Sequence, residues 1–169
     1  LKDVKNLNQN LSQLQTFVEE NVSDEELKDG FARVVTSWKR AQTLYLAGDL
    51  DEDYIDLPNY VDVFHQGNED VSEQLDRVLL SSESLDVELF KNSTKSVNAL
   101  EYLIFKSSQK TERQKEMIVY VLKRVGERLK TLEAFYENNR ALFMANEQKM
   151  NAIVMNALIE SSYKLKEWR

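Results

Sequence analysis

Cysteine is absent from this chain, proline and histidine occur once each, and glycine only four times. Each scarcity removes options. Without cysteine there is no disulfide, no thiolate metal site and no thiol nucleophile. The lone histidine, His65, cannot build a zinc site of two or three imidazoles. Few glycines and prolines mean few breaks in regular structure, which favours helices. No apolar run reaches the roughly 18 residues a membrane-spanning helix requires. A glycine-rich phosphate loop, a Gly-x-Ser-x-Gly elbow and a His-Glu-x-x-His zinc motif are all missing.

What is present is charge and periodicity. The 169 residues match one domain with a substantial core. Lys and Arg number 22 against 29 Asp and Glu, a net charge of −7. That balance argues against nucleic acid and against an anionic membrane surface as partners. Val4, Leu7, Leu11, Leu14 and Val18 recur at steps of three and four, one face of a helix. Ser23 to Glu26 reads as a capping box that launches a second helix, with Leu27, Phe31, Val34, Trp38 and Tyr45 inward and Gly48 as its stop. The acidic connector Asp49 to Asp56 has the composition of a calcium ligand set, but not the glycine and spaced oxygens of an EF-hand loop. A short helix over about 57–66 begins with Pro58 in its first turn.

Asn68 is expected to cap a helix with Val71, Leu75, Val78 and Leu79 inward. A broken connector with one helical turn then leads to a helix from about Thr94 to Phe105. Thr111 to Gln114 is a second capping-box pattern, opening a long helix through Ile118, Val121, Leu122, Val125, Leu129, Leu132 and Phe135. A break near Asn138 to Asn146 precedes a last helix with Ile153, Leu158 and Leu165 inward. Met144, Met150 and Met155 read as core filling, and Trp38 and Trp168 as core or interface anchors. The expected fold is all-α, an up-and-down antiparallel helical bundle forming a single domain over 1–169.

The candidate site lies in the stretch STKSVNALEYLIFK, Ser93 to Lys106. Glu101 sits there among apolar residues. Val97, Leu100, Leu103 and Ile104 cover one side of the wheel; Asn98, Glu101, Tyr102 and Phe105 cover the other. A helix apolar nearly all round is buried, and a buried carboxylate needs a proton, a cation or a metal. An ion pair with Arg40 or another cation of the second helix is one reading. His65 with Asp62, Glu69 or Asp70 is a weaker carboxylate-rich candidate.

Trp38 to Tyr45 (WKRAQTLY), Asp56 to Leu79 and Phe90 to Phe105 together resemble, in order, the imelysin-like proteins, also called insulin-cleaving metalloproteinase outer membrane proteins. The most specific part is the last, where the family carries Gly-x-His-x-x-Glu. Here Ser96, Asn98 and Glu101 stand at the three motif positions. The resemblance implies an exported, often lipid-anchored bacterial envelope protein linked to iron uptake. It also implies a helical fold of two related halves, of which this chain matches the N-terminal one. A chain that starts without Met and stops in mid-pattern fits a trimmed piece. The implied ligand site is Ser96, Asn98 and Glu101 with Trp38 and Arg40, and Glu101 with Asn98 would hold a divalent metal such as iron, zinc or calcium. A second bundle half or another chain, or a dimer, would complete it.

The older family name implies a metal-dependent peptidase. Asn98 replaces the motif histidine, and an amide is neither an acid–base group nor a good zinc ligand. The residues therefore point to binding rather than hydrolysis. A purely structural bundle with Glu101 in an internal ion pair is the remaining alternative.

Overall fold

The computed structural model describes residues 1–63, 69–145 and 147–167, the last helix by backbone alone at 164, 165 and 167. Among these residues all regular structure is helical and there are no strands. Four helices make the bundle. Helix α1 (Lys2–Glu19) buries Val4, Leu7, Leu11, Leu14 and Val18, the full periodic set. It ends in a Schellman turn: Val22 N–H donates to Phe17 O and Asn21 N–H to Val18 O. Asn21 takes the left-handed conformation (φ 53°), which asparagine tolerates better than most residues.

Helix α2 (Asp24–Thr43) starts with the expected capping box, Ser23 Oγ accepting from Glu26 N–H at 3.2 Å while Glu26 accepts from Ser23 N–H at 3.1 Å. It packs antiparallel to α1, Asn10 Nδ2 donating to Ser37 Oγ at 2.6 Å. The approach is close at Gly30, where a Cβ would stand 3.0 Å from the Phe17 ring and 3.1 Å from Leu14.

The chain then leaves the bundle through short pieces: α3 (Ala47–Leu50), α4 (Leu57–Val61), α5 (Val71–Leu80) and α6 (Leu85–Glu88). Helix α2 thus stops before Tyr45, and Gly48 lies inside α3 instead of ending α2. Pro58 does occupy the first turn of α4, but that helix ends at Val61. Asp70 caps α5, accepting from Glu73 N–H at 2.8 Å; Asn68, like His65 and Gly67, lies outside the described residues.

Helix α7 (Val97–Phe105) returns antiparallel to α2, with Phe105 edge-on to Phe31 at 5.9 Å between ring centroids. A tight turn leads to α8 (Glu112–Asn138). Only half of the second capping box forms: Thr111 Oγ1 accepts from Gln114 N–H, but the Gln114 amide turns inward and donates to Leu103 O at 2.6 Å. Helix α8 runs antiparallel to α1, with Lys5 paired to Glu137 and Asn8 Nδ2 donating to Glu133 at 2.5 Å. Helices α1, α2, α7 and α8 therefore alternate in direction around one apolar core that includes Leu7, Leu14, Trp38, Leu100, Ile118 and Leu129.

Two further helices follow, α9 (Arg140–Ala145) and α10 (Glu147–Glu167). The expected inward set on α10 is partly wrong. Met150 and Ala157 are buried, while Leu158 and Met155 are exposed, as is Met144 on α9. Apolar residues lie on more than one side of α10, so spacing alone does not choose its inner face. The side chain of Leu165 and the whole of Trp168 fall outside the description.

Candidate functional site

Helix α7 is positioned by its own first turn. Ser96 is fully buried and caps the helix, its Oγ accepting from Ala99 N–H at 3.3 Å and donating to Ser93 O at 2.7 Å. Its role is thus met by the backbone. Two residues later Asn98 is half-buried, and its Oδ1 accepts from Val63 N–H at 2.9 Å.

The segment beside it is fastened at two more points. Asp62 Oδ2 accepts from the indole N–H of Trp38 at 3.2 Å and from Lys39 Nζ at 2.5 Å. Trp38 itself is fully buried. Arg128 of α8 donates from one nitrogen to Tyr60 O and Lys95 O, and from the other to Asn92 Oδ1 at 2.8 Å. Burial depresses the pKa of that guanidinium, with a smaller push from nearby Arg124. Residues 60–63 are therefore latched to α2, α7 and α8 at once. Nothing in the sequence pattern marks Arg128 for this; the only hint is its place beside the buried stripe Val121, Leu122, Val125, Leu129.

Glu101, one turn beyond Asn98, is exposed. Helix α7 is one-sided: Val97, Ala99, Leu100, Leu103 and Ile104 are buried, whereas the stripe through Asn98, Glu101, Tyr102 and Phe105 reaches the surface. Its aromatic members explain the misreading. Tyr102 directs its hydroxyl to Asp76 at 2.7 Å, and Phe105 is half exposed. The Lys106 ammonium and the Tyr102 hydroxyl hold the Asp76 carboxyl below its ordinary value.

The expected ion pair of Glu101 with Arg40 does not form. Among the described residues Glu101 has no salt bridge or hydrogen bond. Arg40 instead lines a groove with Lys5, Tyr136 and Arg140, to which no residue of α7 contributes. The structure therefore brings Ser96, Asn98 and Trp38 to one region, leaves Glu101 on the adjoining surface, and sets Arg40 apart.

The other carboxylates weighed from the sequence are engaged. Asp62 holds Trp38 and Lys39. Glu69 accepts from Lys91 Nζ at 2.9 Å and Ser93 Oγ at 2.7 Å, contacts that lower its pKa. Asp70 caps α5. His65 lies outside the described residues. In the acidic connector Asp51 accepts from Asp53 N–H, and burial raises the pKa of Asp49, helped by Glu160.

No group of three or more His, Asp or Glu side chains able to hold a metal occurs among the described residues. A zinc ion takes four ligands and calcium six to eight oxygens. Around Asn98 and Glu101 this chain offers one free carboxylate and one amide oxygen already accepting an N–H. Alone they do not fit such an ion. No described helix is long and apolar enough to cross a membrane.

The chain matches the imelysin family model over residues 1–169. No curated protein matches, and no solved structure does.

Proposed function

The chain belongs to the imelysin family, and from that premise we propose that it is a non-catalytic binding domain of the bacterial cell envelope, serving iron uptake. The observation that carries this reading is the divergence between two motif positions. Asn98, in place of the motif histidine, uses its oxygen to hold Val63. Glu101, the retained acid, is exposed and has no partner among the described residues. An exposed acid without an intramolecular partner contributes little to stability and leaves its charge available to a ligand. The ligand is a metal ion or a small cationic group whose remaining contacts come from a second bundle half or another chain.

Calorimetric titration with iron, zinc and calcium salts, with and without Glu101→Ala, tests the assignment. Binding lost in the variant supports it. A binding event that Glu101→Ala leaves untouched removes Glu101 from the site. Chelator-sensitive cleavage of a protein substrate, abolished by the same variant, would establish the peptidase reading instead. Glu101→Gln separates the structural alternative: an exposed, unpartnered acid changes stability by less than about 0.5 kcal/mol, whereas breaking a buried pair costs about 3–5 kcal/mol.

A further inference from the structure

At the end of the bundle where α1 begins and α2 and α8 finish, a groove of about 1020 Å³ opens under α9. Its volume is at the upper end of the roughly 300–1,000 Å³ of small-molecule sites. The walls are mainly apolar, with Val4, Leu44, Leu46, Leu50 and Phe143 among them. Its charges are opposite to those of the whole chain. Among the described residues, Lys2, Lys5, Arg40 and Arg140 line it against one acid, Asp3, in a protein of net charge −7. Lys5 is paired with Glu137. Arg40 and Arg140 are exposed and have no salt bridge or hydrogen bond among the described residues.

We propose that this groove binds a free single-chain amphiphile with a carboxylate head, of the medium-chain fatty acid type. An alkyl chain suits the apolar wall through area removed from water. A carboxylate suits the guanidinium groups, which present paired N–H donors to its two oxygens. Concavity and net charge select a free molecule over a bilayer: one chain can enter the groove, while an anionic membrane meets the repulsion of the acidic remainder. The site is separate from α7, and neither proposal depends on the other.

The test is calorimetry on the whole chain with sodium decanoate below its micelle concentration, compared with decyltrimethylammonium. The expected result is saturable binding of decanoate at one per chain and at least about tenfold weaker binding of the cationic analogue. The double variant Arg40→Ala/Arg140→Ala, checked by thermal melting to fold normally, should weaken decanoate by about tenfold or more. No decanoate binding, equal affinity for both head groups, or an unchanged affinity in the folded double variant each overturns the proposal. So does adsorption to phosphatidylglycerol vesicles without binding of monomeric decanoate. The head-group comparison uses the unaltered chain, so the proposal stays testable if the variant does not fold.

Discussion

Replacing Asn98 with alanine withdraws the acceptor that meets Val63 N–H at 2.9 Å. A typical internal hydrogen bond contributes about 1 kcal/mol net, and a donor stranded away from water costs about 1–3 kcal/mol. Val63 is half-buried, so water partly re-solvates its amide and the loss falls near the low end, about 1–1.5 kcal/mol. Alanine is the better helix former by up to about 0.7 kcal/mol. At the second residue of α7 only part of that gain is realised, leaving a net loss of about 1 kcal/mol. For a chain of this length that is a fall in Tm of about 2–4 °C. The local signature is sharper. Amide exchange at Val63 should quicken about fivefold or more, while amides in the middle of α8 slow or quicken only with global stability. Asn98→Asp keeps an oxygen and should keep Val63 protected at neutral pH. Asn98→His restores the motif residue and adds a pH dependence. A neutral imidazole nitrogen can accept from Val63 N–H, but the protonated ring only donates. Its folded pKa is then depressed, so protection is present above about pH 6.5 and is lost as pH falls below it. Unchanged exchange at Val63 in Asn98→Ala would refute the latch.

Three further outcomes follow from the same structure. Gly126 lies inside α8 with nothing within 4 Å of an added Cβ, so Gly126→Ala should stabilise by about 0.5–1 kcal/mol in urea unfolding; a loss would mean that the site is crowded. Trp38→Phe removes the indole donor to Asp62 and leaves a void at a fully buried position, costing about 2 kcal/mol; a Tm within 1 °C of the parent, about the noise of such a measurement, would contradict this. Asp24, held by Lys110 and Lys28, Glu69, held by Lys91 and Ser93, and Asp76, held by Lys106 and Tyr102, all have lowered pKa values. Their stabilisation is complete above the unfolded-state values near 4 and is lost as pH falls through the lower folded values, so Tm should drop below about pH 4. A flat profile down to pH 3 would count against these pairs.

The bundle was legible because its determinants are local. The α1 stripe from Val4 to Val18 is buried entire, the Ser23–Glu26 box forms, and the long run to Phe135 is one helix. Gly48 and Tyr45 misplaced the end of α2 because the chain turns at Leu44, with no glycine or proline there to announce it. The site was half legible. Motif spacing located Ser96, Asn98 and Glu101 on one helix, but the wheel treated Tyr102 and Phe105 as buried and so enclosed Glu101. Which of two apolar-looking faces turns inward is settled by neighbours far away in sequence; on the outer stripe Phe105 meets Phe31 and Tyr102 meets Asp76. The Asn98–Val63 bond spans 35 residues and the Arg128–Tyr60 bond 68, separations at which no periodicity reports contact.

Those separations also set an order of events in time. The α1–α2 hairpin is closed by a short turn with its own cap and Schellman bonds, and its contacts, such as Asn10 with Ser37, cross only 27 residues. The α1–α8 seam joins residues 121 and 125 apart at Asn8. Local contacts form first because little loop entropy opposes them. The hairpin is therefore predicted to lie in the folding nucleus and the α1–α8 seam to close after the main barrier. Weakening Gly30 or Ser37 should slow refolding, whereas weakening Asn8 should mainly speed unfolding. Stopped-flow chevrons with the opposite pattern would reverse that order. On this account the lifetime of the native state is governed by the seam that joins the two ends of the bundle.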